Sequence, residues 1–511
     1  MERFVKRHGD RIVGSIAGFD RVLFRGNLSS ICHLKGFDRF LSSQRILYKD
    51  FGLFAQKVTA QLKAHAEQLA AASGRPLIHL ASPKTSKEDQ ARRIMERDGI
   101  TEGLICVLSC VEPCRTFTVR GDRVSKRLQL RAEDRQCLHL YFYFLDREFG
   151  LLHVRLQTWL PLTIQVCING REYLARQMKR SGISYRQADN CFTQIGDCRR
   201  AQKLSDRLGE RKWQPFLDAL ARRVNPWLQR GGEVVLRPYY WTMRQGEYAT
   251  DILFRSPQAL ADIYPTLIEH AIRHFHTADV LRFLGRKHRT ISSGEVKSDL
   301  QRRFEGVRIK HWVEENSIKM YDKQGSVLRI ETTINNPKRF RVRRRVGDQG
   351  PMKWLPLRKG IADIRRRVEI SRAANQRYLE ALAVVGEPTP SYKLLDRVSQ
   401  PVKRGGRQFR ALRPISPEDS QLFKALLHGE FLIQGVRNKD LRQILYSHQE
   451  NNPDQSRKNS GRITRYLMLL KSHKLIYRVP KTNYYRTTKQ GNEIMTTATK
   501  FRETKLALLA A

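Results

Sequence analysis

The sequence has few acidic side chains for its size. Of its 511 residues, 50 are Asp or Glu and 95 are Lys or Arg, so the formal net charge is +45 at pH 7. Such an excess of cations attracts polyanions, and the binding depends on salt because bound phosphates release their counterions. The composition therefore predicts a nucleic acid as partner, with DNA expected before RNA.

Long apolar runs are also missing from the sequence. No run approaches the length of about 18 residues that a transmembrane helix needs, and no basic amphipathic helix is long enough to indicate a membrane surface. Residues 1–21 lack the apolar stretch of a secretory signal, so we expect a cytoplasmic, nucleoid-associated protein. No Gly-rich phosphate loop is present, which argues against a small-molecule enzyme with a nucleotide cofactor.

Cysteine is sparse, and the eight cysteines indicate ordinary intracellular usage rather than a disulfide framework. Cys106, Cys110 and Cys114 recur at intervals of four residues, a spacing that invites a metal interpretation. However, no complementary Cys/His pair follows at the spacing of a zinc site, and the segment is apolar. We therefore predict a buried strand over residues 103–111 rather than a zinc site.

The periodicities predict an α+β chain. We expect a basic core, built on a multi-strand antiparallel or mixed sheet with helices, and a C-terminal winged helix-turn-helix. Pro, Gly, Ser and charged residues replace periodic segments between residues 387 and 413, which is typical of a linker. The expected division is an N-terminal α+β domain (1–235), a second α+β region with a central β-ribbon (236–386), the linker (387–413) and a C-terminal module (414–511).

The central β-ribbon should contain three short strands, over residues 307–313, 317–323 and 327–335. The alternation predicts one apolar face that can be buried, made of Ile318, Met320, Leu328, Ile330 and Ile334. The other face carries Lys319, Tyr321, Lys323, Arg329, Glu331 and Thr333. This polar face is either the solvated side of an ordinary hairpin or a reactive surface. A basic strip follows at residues 338–345, with Arg339, Arg341 and Arg343 as candidate phosphate contacts.

The string IKMYDKQGSVLRIETTIN resembles a segment of rolling-circle replication initiators from plasmids and filamentous phages. In those proteins a YDK strand precedes a hairpin and an LR-E strand, and DNA is cut by a tyrosine nucleophile with a bound divalent metal. The resemblance implies Tyr321 as nucleophile, Glu331 or Asp322 as ligand of Mg²⁺ or Mn²⁺, and Arg329 with Lys323 as cations that neutralise the phosphate. The initiators' metal-binding histidines form a strand triplet, whereas the triplet here, His274-Phe275-His276, has helical spacing.

Asp20 lies among apolar residues of the first predicted strand pair. A carboxylate in this place is similar to the metal ligand of ribonuclease-H-like nucleases and transposases, but it also fits a salt-bridged strand end. A nuclease should bring Asp20, Asp146, Asp251, Tyr321 and Glu331 together, whereas a scattered arrangement would favour a protein without catalysis.

A meander of strands is predicted within residues 136–177, followed by a helix that Asn169 caps. Tyr141, Tyr143, Arg155 and Trp159 could form an exposed face that stacks bases and holds phosphate. The same aromatic side chains pack equally well in a core, with their polar tips satisfied. The sequence leaves both alternatives open.

Residues 414–511 read as three helices followed by a strand-turn-strand. Ser416 and Pro417 begin the first helix, Asn438 caps the second, and Asn459 or Ser460 starts the third. This order resembles the winged-helix DNA-binding domain of bacterial regulators. The resemblance implies a recognition helix over residues 461–474, a wing tip over 480–483, and contacts from Arg462, Arg465, Tyr466, Lys471, Lys481 and Arg486. A winged helix used for protein contacts is the alternative.

The chain as a whole resembles a family of long, basic bacterial proteins, a resemblance that implies no particular activity. Our first hypothesis is a nucleic-acid-binding protein of a bacterial mobile element or plasmid, with a replication-initiator-like or transposase-like nuclease activity that would need Mg²⁺ or Mn²⁺. The alternative is a non-catalytic DNA regulator or a partner of a structured RNA.

Overall fold

The computed structural model of the chain describes residues 1–124, 126–228, 236–286, 296–303, 306–347, 350–385, 392–446 and 453–503. Its strands are β1 Ile12–Leu28, β2 Leu77–Leu80, β3 Gly103–Gly121, β4 Leu128–Asp146, β5 Gly150–Gln157, β6 Ile164–Asn169, β7 Tyr185–Ala188, β8 Cys191–Ile195, β9 Tyr239–Phe254, β10 Val296–Arg303, β11 Gly306–Val313, β12 Asn316–Lys323, β13 Val327–Thr333, β14 Arg341–Arg345, β15 Met352–Pro356, β16 Val402–Arg404, β17 Arg407–Phe409, β18 Ile476–Arg478 and β19 Tyr485–Thr487.

The α-helices of the same residues are α1 Glu2–Arg7, α2 Leu34–Ser43, α3 Phe51–Ala72, α4 Lys87–Arg97, α5 Gly170–Arg180, α6 Cys198–Glu210, α7 Gln214–Val224, α8 Pro257–Ala261, α9 Tyr264–His274, α10 Thr277–Phe283, α11 Ile364–Leu382, α12 Tyr392–Asp396, α13 Pro417–Leu426, α14 Gly429–Gln434, α15 Asn438–Leu445, α16 Pro453–Ser472 and α17 Lys489–Glu503. None of these described helices is long and apolar enough to cross a membrane.

An eleven-stranded sheet organises the main body, in the order β10-β11-β12-β13-β9-β1-β6-β5-β4-β3-β2. The β2–β3 pair is parallel and the other neighbours are antiparallel, so the sheet is mixed and the α+β prediction is confirmed. Because β9 pairs with β1 on one side and with β13 on the other, the sheet continues across residue 235. The domain boundary expected there does not divide the structure.

Two hydrophobic clusters bury one side of this sheet. Over β1 and β4–β6 the cover comes mainly from α2, α3 and α7, with Phe37, Leu62 and Leu217 fully buried. Over β9 and β11–β13 it comes from α9, α10 and α11. The predicted apolar face of the ribbon lies on this side, and Ile318, Met320, Leu328 and Ile330 are buried in the second cluster. The three ribbon strands and the face of these four residues are therefore confirmed. The third strand ends at Thr333 rather than at residue 335, and Ile334 is buried in a separate small cluster.

The other side of the sheet is covered only in part. Helix α4 packs over β3 and β4, and α5 and α6 pack over Ile16 of β1 and Leu253 of β9. Beside these covers the same side of the sheet carries half-buried polar side chains, among them Arg25, Gln165 and Lys310. We call this stretch of β1, β5, β6, β9 and β10–β13 the open face.

Two local predictions need correction. The segment around Asp20, which was predicted to form a strand pair, forms the single 17-residue strand β1. The expected linker contains α12 and the β16–β17 hairpin, and Leu395, Val398 and Leu412 are buried in the core of the C-terminal module. Apolar side chains were present in this segment, but their spacing follows no helix or strand period, so the sequence pattern did not reveal them.

The C-terminal module has the expected order of helices followed by a hairpin, with the short α14 in addition. Helices α13, α15 and α16 share one core with Phe423, Leu441 and Ile463 fully buried. Val436 pairs with Tyr485 at the edge of the β18–β19 hairpin. Two boundaries differ, because α16 begins at Pro453 and Arg437 rather than Asn438 is the residue before α15. A further helix, α17, follows the hairpin.

Candidate nucleic-acid interface and carboxylate cluster

A break in the register between β1 and β9 lies at the centre of the candidate site. Phe19 pairs with Tyr248 and Arg21 pairs with Glu247, so Asp20 is an extra residue in β1. Such a bulge re-aims side chains without ending the strand. Here it lets Asp20 reach Arg329, which lies two strands away on β13, while Arg21 stays opposite Glu247.

A buried arginine of β13, Arg329, joins acidic residues of the two strands β9 and β1. Arg329 donates from Nε and Nη2 to the two carboxylate oxygens of Asp251, at 2.7 and 2.9 Å, and from Nη1 to Asp20 Oδ1 at 3.0 Å. Arg171 approaches the same Asp251 at 3.0 Å. Burial alone would raise the pKa of Asp251, but the two guanidinium groups lower it overall. Asp251 is therefore held as a charged, paired carboxylate.

Glu331 is in a different electrostatic situation. Burial raises its pKa, the carboxylates of Asp20 and Glu247 add to the rise, and Lys319 opposes it from 2.7 Å. One carboxylate oxygen from each of Asp20, Glu247 and Glu331 lies within 4.8 Å of the others. We call these three residues the carboxylate cluster. Oxygen ligands of this kind suit Mg²⁺ or Mn²⁺, and a divalent cation would relieve the mutual repulsion.

Tyr321 adjoins the carboxylate cluster and is almost fully buried. Its hydroxyl donates to Glu331 Oε2 at 2.9 Å, and its ring lies 5.4 Å from both Arg303 and Lys319. Burial raises the pKa of Tyr321 well above its usual value, so the phenol is neutral. The predicted pair of phenol and carboxylate exists, with the hydroxyl enclosed in this conformation.

Two other candidate carboxylates lie outside the cluster. Asp322 follows Tyr321 on β12 and therefore faces the opposite side, where its backbone N–H donates to the hydroxyl of Tyr264 at 3.1 Å. Its suggested role as a metal ligand beside Glu331 is wrong. Asp146 closes the β4–β5 turn by accepting from the backbone N–H groups of Glu148 and Phe149 at 2.8 and 2.9 Å.

Cations surround the carboxylate cluster on the open face. Register places Lys310 opposite Lys319, and Lys319 opposite Glu331. Burial lowers the pKa of Lys310, and the charges of Lys319 and Arg308 lower it further. On the other side of the carboxylate cluster, burial and the guanidinium groups of Arg244 and Arg155 together lower the pKa of Arg25. Bound anions would stabilise these cations, since the cations destabilise one another.

The tyrosines of the aromatic meander are packed in a core, which was the second of the two alternatives that the sequence left open. Tyr141 and Tyr143 are buried under α4, 7 % and 2 % exposed, so they offer no face for base stacking. Tyr141 donates to Glu112 at 2.7 Å, and Arg155 pairs with the same carboxylate at 2.8 Å. Trp159 follows the end of β5, is half-buried, and donates from Nε1 to the carbonyl of Phe117 at 2.9 Å.

The candidate contacts of the module divide into two groups. Arg462, Arg465, Lys471 and Lys481 are exposed. By contrast, the Tyr466 hydroxyl donates to Glu418, and half-buried Arg486 donates to the Ile433 carbonyl at 3.4 Å, so both hold the module together. Lys458 was missed by the sequence prediction, although its spacing from Arg462 and Arg465 puts it on the same face of α16.

The basic strip after the ribbon forms a separate exposed hairpin. Arg341 and Arg343 are exposed on β14, which pairs with β15. Arg339 is exposed as well and lies 3.4 Å from Glu314. These positions remain candidate phosphate contacts outside the main sheet.

Several residues of the site were missed by sequence reasoning. They are Arg21, Arg25, Arg171, Glu247 and Arg244. The only signal was that each is a charged residue inside a regular element, here β1, β9 or α5. Choosing among the chain's many such charges requires the strand order and the β1 bulge, which a single sequence does not reveal.

The raised pKa of Glu331 predicts a pH-dependent effect of Glu331→Gln. The folded protein retains a proton that the unfolded chain releases near the usual pKa of 4.5. The stability associated with this group is therefore complete below that pH and is lost as the pH rises towards the folded-state pKa. The glutamine variant should gain stability relative to the wild type over this window.

Urea unfolding at a series of pH values, without divalent metal, measures this difference. Glu210→Gln, at an exposed position of α6, is the matched control and should show a nearly constant difference. A Glu331→Gln difference that does not change with pH would contradict the assigned electrostatics.

Comparison with known proteins offers no relative from which an activity could be transferred. No family model, no curated protein and no solved structure matches the chain. The functional conclusion therefore rests on the open face, the carboxylate cluster and the C-terminal module.

Proposed function

We propose that the protein binds nucleic acid across the open face of its main sheet. The observation that carries this proposal is the grouping of cations on either side of the carboxylate cluster, where burial and neighbouring positive charges lower the pKa values of Lys310 and Arg25. Phosphates spaced along a nucleic acid would neutralise both groups at once and release counterions. The net charge of +45 supports the same class of partner.

The C-terminal module supplies a second proposed contact, with duplex DNA. Its order of helices and hairpin, together with the exposed Lys458, Arg462 and Arg465 on one face of α16, supports a winged-helix mode of binding. In the proposed complex α16 enters the major groove and the β18–β19 hairpin meets the backbone. A DNA-binding protein of a bacterial mobile element or plasmid fits this pair of surfaces, and a structured RNA on the open face is the alternative.

The nucleic acid that co-purifies with the full chain separates these alternatives. Sequencing it after ribonuclease or deoxyribonuclease treatment should yield discrete DNA ends or an origin if the mobile-element proposal holds. A single enriched RNA would instead favour the structured-RNA alternative. Random DNA would contradict a specific target.

Removing charge from the open face should weaken nucleic-acid binding. We expect Arg25→Gln combined with Arg244→Gln to lower affinity and to reduce the slope of log K against log salt by about 1 for each phosphate that the protein no longer neutralises. Fluorescence anisotropy across a salt series measures both effects. The control is Lys63→Gln with Arg222→Gln, which removes two charges from α3 and α7 on the covered side. Equal decreases in the two double variants would contradict an interface on the open face.

Removing charge from α16 should affect duplex DNA in particular. We expect Arg462→Gln with Arg465→Gln to cost about 1–3 kcal/mol per specific base contact in binding to the preferred duplex, and much less with single strands. Competition binding with duplex and single-stranded oligonucleotides tests this, again against Lys63→Gln with Arg222→Gln. Unchanged duplex binding would remove α16 from the interface.

A second candidate function is metal-dependent cleavage of the bound phosphodiester. It is favoured by the three carboxylate oxygens within 4.8 Å of one another and by Tyr321 hydrogen-bonded to one of them. The residues present fit Mg²⁺ or Mn²⁺, although Lys319 and Arg329 already neutralise part of the charge. In this proposal Asp20, Glu247 and Glu331 would hold the ion, while Lys310 would help to bind the phosphate.

Cleavage and metal binding are tested on the same variants. We expect Mg²⁺ or Mn²⁺ to raise the thermal midpoint of the wild type but not of Glu331→Gln, and we expect cleavage to fall on the order of 100-fold or more in that variant. Glu210→Gln should behave as wild type.

Tyr321→Phe identifies the nucleophile. If the phenol attacks phosphorus, this variant should lose both nicking and the covalent protein–DNA adduct, because it lacks the attacking oxygen. Retained nicking would rule out the tyrosine, and the absence of cleavage in the wild type with either metal would leave a binding protein.

A further inference from the structure

A separate group of soft ligands lies on strands β3 and β4, away from the carboxylate cluster. Cys114, Cys137 and His139 each offer one ligand atom, and these three atoms lie within 4.8 Å of one another. Register explains the grouping: Cys114 is opposite Arg135, and Cys137 is opposite Glu112, so the two thiols are diagonal neighbours across the pair. His139 follows Cys137 on the same face of β4.

The imidazole is already oriented as a metal ligand would be. His139 Nδ1 lies 3.1 Å from the carbonyl oxygen of Cys137, and only a protonated nitrogen can donate to that acceptor. The lone pair is therefore on Nε2. Metal-binding histidines commonly use their second nitrogen in this way, which fixes the tautomer and the ring plane.

The three ligand types select among metals. Thiolate sulfur and imidazole nitrogen suit Zn²⁺, with ligand distances of about 2.3 Å for sulfur and about 2.0 Å for nitrogen, whereas Mg²⁺ and Ca²⁺ prefer oxygen. Two thiolates also balance the charge of one Zn²⁺, which favours binding beside the buried His139. Cys114 is half-buried, so a fourth position on its side is open to water or another ligand.

The position in the sheet gives such a site a structural purpose. Pairing of β4 with β5 begins at His139, and pairing of β3 with β2 ends at Cys110. Residues 111–121 of β3 and 128–138 of β4 therefore continue as a two-stranded arm without further strand neighbours among the described residues. One side of the arm packs on the main core through Phe117, Val119 and Leu130, but no further strand pairs with either edge of the described arm. A metal at the base of the arm would cross-link its strands where the sheet support stops.

We propose that Cys114, Cys137 and His139 bind one Zn²⁺ that clamps the base of the β3–β4 arm. The site is independent of the proposed nucleic-acid binding and of the carboxylate cluster. The sequence prediction rejected zinc because no Cys/His pair follows at a short spacing. Strand pairing, rather than spacing, brings Cys137 and His139 to Cys114.

Cobalt substitution of the full chain tests the proposal. We expect the purified, reduced protein, treated with a chelator and titrated with Co²⁺, to show a thiolate-to-cobalt charge-transfer band and intense tetrahedral d–d bands that saturate at one equivalent. Zn²⁺ should abolish both. Carboxylate binding gives no sulfur charge-transfer band, so Glu331→Gln should retain the signal in full.

The variants locate the ligands. Cys114→Ser and Cys137→Ser should each lose most of the charge-transfer intensity, and His139→Ala should lower Co²⁺ affinity at least tenfold. Cys32→Ser, at a half-buried cysteine outside the group, is the control and should match the wild type. The absence of a charge-transfer band in the wild type would overturn the proposal, and this measurement does not depend on whether a variant folds. An unchanged band in Cys114→Ser would also overturn it.

Discussion

The buried contact of Arg329 with Asp251 and Asp20 is the constraint on which the centre of the molecule depends. It joins β13, β9 and β1, and Arg329 Nη2 also donates to the Asn190 carbonyl at 2.9 Å in the turn between β7 and β8. Asn190 in turn donates to Asp20 at 2.7 Å. Removing the arginine would leave Arg171 as the remaining guanidinium partner of both carboxylates, and breaking a buried ion pair typically costs about 3–5 kcal/mol. Strand order, the β1 bulge and the β7–β8 hairpin are therefore coupled through one side chain.

This constraint also shapes the electrostatics of the open face. Arg329 and Arg171 satisfy Asp251, so the acidic character that remains is concentrated on Glu331 and Glu247, beside the shared Asp20. Burial and neighbouring positive charges lower the pKa of Lys310 on one side and of Arg25 on the other. An acidic centre between two basic borders is the charge pattern that the proposed binding of a phosphodiester around a metal ion would require.

The sequence predicted local structure better than it predicted long-range pairing. The ribbon strands and the helix capped by Asn169 were predictable, because alternation and capping are properties of neighbouring residues. The resemblance to replication initiators implied that Arg329 neutralises the phosphate, but its side chain is paired with Asp251, which lies 78 residues earlier in the chain. Tyr141 and Tyr143 failed as a stacking surface because α4, which comes before them in the chain, covers their face. Such outcomes depend on what packs against a face, which periodicity does not specify.

Asp251 and Glu331 show how one sheet can hold carboxylates in opposite states. They lie on the adjacent strands β9 and β13, and neither is more than 1 % exposed. Two arginines lower the pKa of Asp251, whereas burial and two neighbouring carboxylates raise that of Glu331. When the environments of two nearby acids push their pKa values apart, the two acids commonly have different roles. The acid with the lowered pKa stays charged and structural, and the acid with the raised pKa can bind a proton or a metal. On this physical ground Asp251 belongs to the framework, whereas Glu331 is the carboxylate to which our proposal assigns metal binding, and Asp20 contacts Arg329 and also lies in the carboxylate cluster.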